Sequence, residues 1–273
     1  MRSVTFSNIP TKTSVLCRWF HPRYTDVTVY LSLAQAKQKI LTEKYAGVEG
    51  NAYRADCARL EAHEPWEYVL GHTDFLGATI DLSYRPMVPR DETAQWVKRV
   101  IDEWKDAGPV TTADLYAGAG NIGIALLKHL PEATCTFNEI DAALLPQIKK
   151  SLEINSIDPS RTTLLAGNSL EKITGTFDVL CANPPYVDPK GEADMDPEMH
   201  YEPRIAFFGS TDGFGHHREL IEKGKQYLTK RGTLYVECDM TQVEELKKIL
   251  ATTDWQSTFW DDPYGHEGVM VLH

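Results

Sequence analysis

The chain has 273 residues, 42% hydrophobic and 25% charged, with a formal net charge of −11. These proportions are ordinary for a globular protein of one large domain, or of a main domain with a small companion. No apolar run approaches the length of a membrane-spanning helix, and the acid excess disfavours non-specific affinity for nucleic acid.

The first 25 residues carry Arg2, Lys12, Arg18 and Arg23 and no acid. This composition resembles a mitochondrial transit segment, but Pro10 interrupts any long amphipathic helix. A cytoplasmic location is expected, with a mitochondrial one as the alternative. Helices are expected over 31–46 and about 52–62, the second ended by Pro65. Residues 66–88, with Gly71, Gly77, Pro86 and several β-formers, read as a hairpin-like connector. Thr93 is placed to cap a helix over about 94–107, in which Val97, Val100, Ile101 and Trp104 share one face before Gly108.

From there strands and helices alternate. Strands are expected at 110–116, 133–138, 162–166, 177–182 and 232–237, and finally at 255–260 and 267–272. Helices are expected at 121–130, over a segment ending near Asn155, at 216–229 and at about 241–251. Alternation of this kind builds a mostly parallel sheet covered on both faces, with ligands bound outside the carboxyl ends of its strands.

Four of those strand ends carry chemistry. Asp114-Leu115-Tyr116-Ala117-Gly118-Ala119-Gly120 closes the first, where Gly118 and Gly120 permit unusual backbone angles and close approach of a ligand. Glu139 ends the second and can accept two hydrogen bonds from a ribose diol, while Asp141 caps the next helix. Asn168, after the third, offers a carbonyl to an adenine amine, or serves as a plain turn residue. The fourth ends in Asn183-Pro184-Pro185-Tyr186. The prolines stiffen that turn and remove two N–H donors, leaving the Asn183 side-chain carbonyl and the Pro184 backbone carbonyl as paired acceptors for an NH₂ group, with Tyr186 as an aromatic wall. In this order the four describe an S-adenosylmethionine site beside an amide or amine acceptor.

The five cysteines, at 17, 57, 135, 181 and 238, lack metal or redox spacing and read as reduced thiols. His216 and His217 have no partner at metal-ligand spacing. They read as a solvent-exposed helix start, and no metal is expected.

The chain resembles the HemK/PrmC family, the glutamine methyltransferases that modify peptide release factors. The resemblance is carried by Glu64-Pro65-Trp66-Glu67-Tyr68-Val69-Leu70-Gly71, by Val88-Pro89-Arg90 with Glu92-Thr93, and by Asn183-Pro184-Pro185-Tyr186. It continues through Tyr201-Glu202-Pro203-Arg204 with Ala206, Gly209, Asp212 and Gly213, and Leu234-Tyr235-Val236-Glu237 with Gln242. It implies an α/β fold: a class I (Rossmann-like) methyltransferase sheet, mostly parallel with an antiparallel C-terminal strand, plus a small N-terminal helical domain. The implied division is a helical substrate-docking domain with its connector hairpin over 1–85 and an S-adenosylmethionine-dependent methyltransferase domain over 86–273.

The implied reaction is methylation of the glutamine side-chain amide in the Gly-Gly-Gln loop of class I release factors, by a monomer needing neither nucleic acid nor a membrane. The implied cofactor residues are Asp114, Gly118, Gly120, Glu139, Asn168 and Asn183. Asn183, Pro184 and Tyr186 are the implied catalytic set, with Pro185, Arg90 and Glu202 beside them on the substrate side. Departures from the family pattern are Ala94, Tyr116, Asn121 and Asn168. Rival readings are a glutamine methyltransferase of a ribosomal protein, an adenine-amine methyltransferase of nucleic acid, and a non-catalytic cofactor-binding scaffold. Asp188, Glu192, Asp194, Asp196 and Glu198, against Lys190, form either a solvated loop or an acidic lip that attracts a basic protein.

Overall fold

The computed structural model describes residues 31–262 and 265–273; the basic N-terminal stretch and Cys17 lie outside the described residues. Helix α1 (Leu33–Glu43) starts at a reciprocal cap, in which the Ser32 hydroxyl accepts from the Gln35 N–H and the Gln35 side chain accepts from the Ser32 N–H. Helix α2 (Asn51–Glu61) and the short α3 (Trp66–Leu70) pack against it around Ala36, Ile40, Leu60, Val69 and Leu70. The turn of helix at α3 falls where the sequence suggests only a connector. The hairpin of β1 (His72–Phe75) and β2 (Ala78–Asp81) follows, and its Phe75, Ala78 and Ile80 join the largest apolar cluster.

Helix α4 (Asp91–Trp104) buries Trp96, Val97, Val100, Ile101 and Trp104 on one face. Its N-cap is Arg90, so Thr93 is not a cap; it lies inside the first turn, and its hydroxyl is spent on a distant acid. The sheet then builds from β3 (Thr111–Leu115), β4 (Thr134–Glu139), β5 (Thr162–Ala166), β6 (Phe177–Ala182), β7 (Leu228–Glu237), β8 (Ser257–Asp261) and β9 (Glu267–Leu272). Its order is β5-β4-β3-β6-β7-β9-β8, with the first five strands parallel and β9 antiparallel to both neighbours. Helices α4, α5 (Asn121–His129) and α6 (Leu145–Ile154) carry the larger core on one face, and α7 (Gly215–Lys223) and α8 (Val243–Leu250) carry the other.

Two further expectations are corrected. The helix expected to run to residue 229 is α-helical only to Lys223 and tightens into a 3-10 turn over Gly224–Tyr227, and β7 begins at Leu228, where it pairs with Phe177 across a register shift. Glycine weakens the helix end: Gly224 packs so closely that a Cβ there would stand 2.8 Å from Leu234. His217 is fully buried rather than solvent-exposed, its Nε2 lying 2.9 Å from the Glu237 carbonyl. Burial pulls its pKa down to about 4, so it is neutral at physiological pH.

Candidate active site

Strands β3 and β6 are parallel neighbours, with Leu115 opposite Ala182. The chain leaves β3 towards β4 on one side and returns to β6 on the other, which makes their carboxyl ends a topological switch point. The glycine loop and Asn183-Pro184-Pro185-Tyr186 therefore emerge side by side.

On the glycine side, Gly118 and Gly120 have φ of +51° and +76°, left-handed values that a side chain would strain. A Cβ at Gly118 would meet only the Tyr116 carbonyl at 3.9 Å, so the loop surface is open there. Glu139 accepts the Gly118 N–H at 2.7 Å through Oε2 and the Asp141 N–H at 2.8 Å through Oε1. Burial raises its pKa, and these backbone donors oppose the rise. Asp141 also caps the next turn by accepting from Ala143 at 3.0 Å.

Asp114 is wholly buried. Its Oδ2 accepts the Gly123 N–H at 2.9 Å and its Oδ1 has no partner. Burial first, and then the neighbouring Glu139 charge, lift its pKa to about 8. Asp114 thus ties the end of β3 to the first turn of α5, on either side of the loop. Asn168 is half-buried, and its side chain finds no partner among the described residues. A fixed carboxylate with lone pairs to spare beside an open glycine turn fits a cofactor carrying a ribose diol.

Sequence reasoning noted Tyr116 only as a departure. Its φ of 59° is left-handed, a conformation that costs a bulky residue ~1–3 kcal/mol. Its hydroxyl donates to Ser169 Oγ at 2.7 Å and lies 3.1 Å from His216 Nδ1, with the two rings edge to face. Burial lowers the His216 pKa. These three side chains join the ends of β3 and β5 to the start of α7.

On the other side of the tetrapeptide lies a cavity of about 550 Å³, whose wall includes Asn183, Pro184 and Tyr186 but neither Gly118 nor Glu139. Arg90 and Glu202 both line it. Their side chains are 2.6 Å apart, and the second Glu202 oxygen accepts the Val88 N–H at 2.9 Å. Both residues are therefore engaged in holding the wall. Arg99, also in the wall, lies over the Trp260 ring at 3.8 Å.

Much of the remaining wall is apolar, and its other charged residues are all acidic. Burial raises the pKa of Glu67 to about 7, against the pull of Arg90, and burial also raises Glu198 and Asp196. The run of acids after Tyr186 thus divides: Asp196 and Glu198 face the cavity, whereas Asp188 bonds the Lys190 N–H and Glu192 pairs with Arg204.

The tetrapeptide is braced from behind. Pro185 abuts Gly209, where a Cβ would come within 2.7 Å of it. Gly213 has φ +74°, and a Cβ there would stand 2.4 Å from the Tyr186 carbonyl. Gln242 donates to the Tyr186 and Gly213 carbonyls at 3.2 and 3.1 Å. A polar cluster that sequence reasoning missed lies inward. Glu237, buried at the end of β7, receives the Thr93 hydroxyl at 2.6 Å and the Trp96 indole N–H at 2.7 Å on Oε2, and the Tyr186 hydroxyl at 3.1 Å on Oε1. Asn183 Nδ2 donates to Thr93 Oγ1 at 3.2 Å, and Asn183 Oδ1 has no partner among the described residues. Thr93 and Glu237 both fell within segments of family resemblance; what sequence lacked was their contact across 144 positions. Among the described residues no group of three or more potential ligands could hold a metal ion, and no helix is long and apolar enough to cross a membrane.

Residues 99–199 match the methyltransferase small domain. A release factor glutamine methyltransferase from Agrobacterium fabrum is 32% identical over 194 residues, covering 69% of this chain and 67% of that protein. A ribosomal protein uL3 glutamine methyltransferase from Francisella tularensis is 27% identical over 237 residues, covering 86% of this chain and 73% of that protein. Among solved structures, the hMettl16 catalytic domain in complex with MAT2A 3'UTR hairpin 1 aligns with a TM-score of 0.57 at 15% identity, over 93% of this chain and 94% of that one. At that identity the likeness concerns the fold alone.

Proposed function

We propose that this chain, which belongs to the release factor glutamine methyltransferase family, methylates the side-chain amide nitrogen of the glutamine in the Gly-Gly-Gln motif of class I peptide chain release factors. The observation that carries the reading is the Asn183 carboxamide. Its nitrogen is tied inward to Thr93, and its unpartnered oxygen belongs to a residue in the cavity wall.

S-adenosylmethionine, when bound, supplies an electrophilic methyl group. Gly118, Gly120 and Glu139 would hold it, Glu139 through the ribose, with Asp114 fixing the loop and Asn168 near the adenine. A glutamine amide is a weak nucleophile, because its nitrogen lone pair is delocalised into the carbonyl. Asn183 Oδ1 and the Pro184 carbonyl accept its two hydrogens and hold the nitrogen in line for attack. Positioning of this kind is worth up to about 7–11 kcal/mol in ideal intramolecular cases. Both acceptors strengthen their bonds as the nitrogen loses electron density, which stabilises the transition state more than the ground state. The methylated nitrogen is strongly acidic and releases its proton to water. Tyr186 and Pro185 keep the turn rigid, and Arg90 and Glu202 keep the cavity open.

The acids facing the cavity favour a basic partner surface. On this reading the substrate is a protein, met in the cytoplasm. A ribosomal-protein glutamine is the second reading, supported by the relative from Francisella tularensis, which aligns over the longer stretch. Incubation with methyl-labelled S-adenosylmethionine and either a Gly-Gly-Gln release factor or ribosomal protein uL3, followed by mass mapping, separates the two. Label on the release-factor glutamine supports the first reading, and label on uL3 alone replaces it with the second.

A further inference from the structure

We propose that Thr93 and Glu237 are positioning residues that fix which face of the Asn183 carboxamide meets the substrate, by forming a one-way chain of hydrogen bonds from Asn183 to the buried acid. The inference rests on the glutamine-methylation reading and adds a specificity to it. It says why the site presents an acceptor rather than a donor.

The direction follows from counting hydrogens. The Trp96 indole can only donate, so Glu237 Oε2, 2.7 Å away, must accept there. Three donors, from Thr93, Trp96 and Tyr186, converge on the Glu237 carboxyl and favour its ionised form against the rise that burial gives its pKa. A carboxylate has no hydrogen to give, so the Thr93 hydroxyl, 2.6 Å from Oε2, donates its single hydrogen to it. Thr93 Oγ1 can then only accept. The group 3.2 Å from it on Asn183 is therefore the NH₂, and the carboxamide oxygen is left on the opposite side. Were the amide turned over, a donor would face the incoming NH₂ and leave both groups unsatisfied. The Tyr186 hydroxyl donates to Glu237 Oε1 at 3.1 Å, so the acid locks two members of the tetrapeptide together. The parts come from separate elements: Thr93 and Trp96 from α4, Glu237 from β7, and Asn183 and Tyr186 from the exit of β6. The burial of Thr93, Trp96 and Glu237 makes an unpaired partner costly there, which holds the chain in one state.

The test compares Thr93→Val, which keeps the shape and loses the hydroxyl, with Thr93→Ser, which keeps the hydroxyl. The expected result for Thr93→Val is a fall in kcat per folded molecule of about 10²-fold, in the range of other lost orienting groups, with the dissociation constant of S-adenosylmethionine close to wild type and a lower melting temperature, because buried partners lose their hydrogen bond. Thr93→Ser is expected to recover most of that loss. Equal losses in both variants, or none in Thr93→Val, overturn the proposal.

A second readout does not depend on turnover. In nitrogen-15-labelled protein the Asn183 side-chain NH₂ is expected to show slowed hydrogen exchange that disappears in Thr93→Val. An Asn183 NH₂ that exchanges freely in the wild type overturns the proposal even if methylation proceeds. A protected NH₂ in a protein that methylates no glutamine retires the functional reading and leaves the orientation standing.

Discussion

The backbone N–H of Gly118 lies 2.7 Å from Oε2 of Glu139. The glycine turn at the end of β3 and the acid at the end of β4 are thus coupled, and the acid is aimed by main-chain donors from both Gly118 and Asp141. A carboxylate fixed in this way loses little freedom when a diol arrives, so its bonds add to affinity nearly in full. Glu139→Ala is expected to weaken S-adenosylmethionine binding by about 2–3 kcal/mol, the worth of hydrogen bonds to a charged acceptor. Titration calorimetry checks this, and an unchanged dissociation constant removes Glu139 from the ribose site.

Gly213 is the most constrained support of the tetrapeptide. An alanine there is strained at φ +74° and places its Cβ 2.4 Å from the Tyr186 carbonyl. Gly213→Ala is expected to lower stability by roughly 1–3 kcal/mol and the melting temperature by several degrees. Because the clash pushes on Tyr186 itself, turnover should fall further than the loss of folded protein explains. Thermal unfolding together with activity per folded molecule measures both.

Glu67 links the cavity to pH. Its pKa is raised to about 7 in the folded chain, chiefly by burial, from an ordinary value near 4.5. Between those values the native state holds a proton that the unfolded state has released, so stability falls as pH rises through the window. Glu67→Gln is expected to flatten this slope, and the stability it gains should be larger at pH 7.5 than at pH 5. Urea unfolding at the two pH values decides the matter; an equal change at both contradicts the assignment.

The same residue reports on the partner. A basic group docking in the cavity favours the ionised carboxylate, so substrate binding should release a proton near neutral pH. KM for the protein substrate is then expected to fall between pH 6 and pH 8 in the wild type and to respond less in Glu67→Gln. Equal pH profiles in the two enzymes count against a basic group at this position.

The fold was legible where its signals are local. Alternating strand and helix patterns gave the sheet, and the glycine turn, the acid and the Asn-Pro-Pro-Tyr run announced the strand ends because each needs particular residues at one place. Contacts that join distant segments were not legible. Thr93 reads as a cap, because a threonine before an apolar face usually is one, and only the fold brings it to Glu237. His217 reads as exposed, because nothing local reveals that the end of β7 covers it. Tyr116 stands out in sequence, but the ends of β5 and α7 must be in place before Ser169 and His216 meet its hydroxyl.

The central claim is that Asn183 orients the substrate amide and does little for the cofactor. The most direct measurement is single-turnover methyl transfer by Asn183→Ala alongside its dissociation constant for S-adenosylmethionine. The account predicts a rate lower by about 10²–10³-fold, as for other lost orienting groups, with cofactor affinity nearly unchanged. A rate like that of the wild type, or a parallel loss of rate and cofactor affinity, would contradict it.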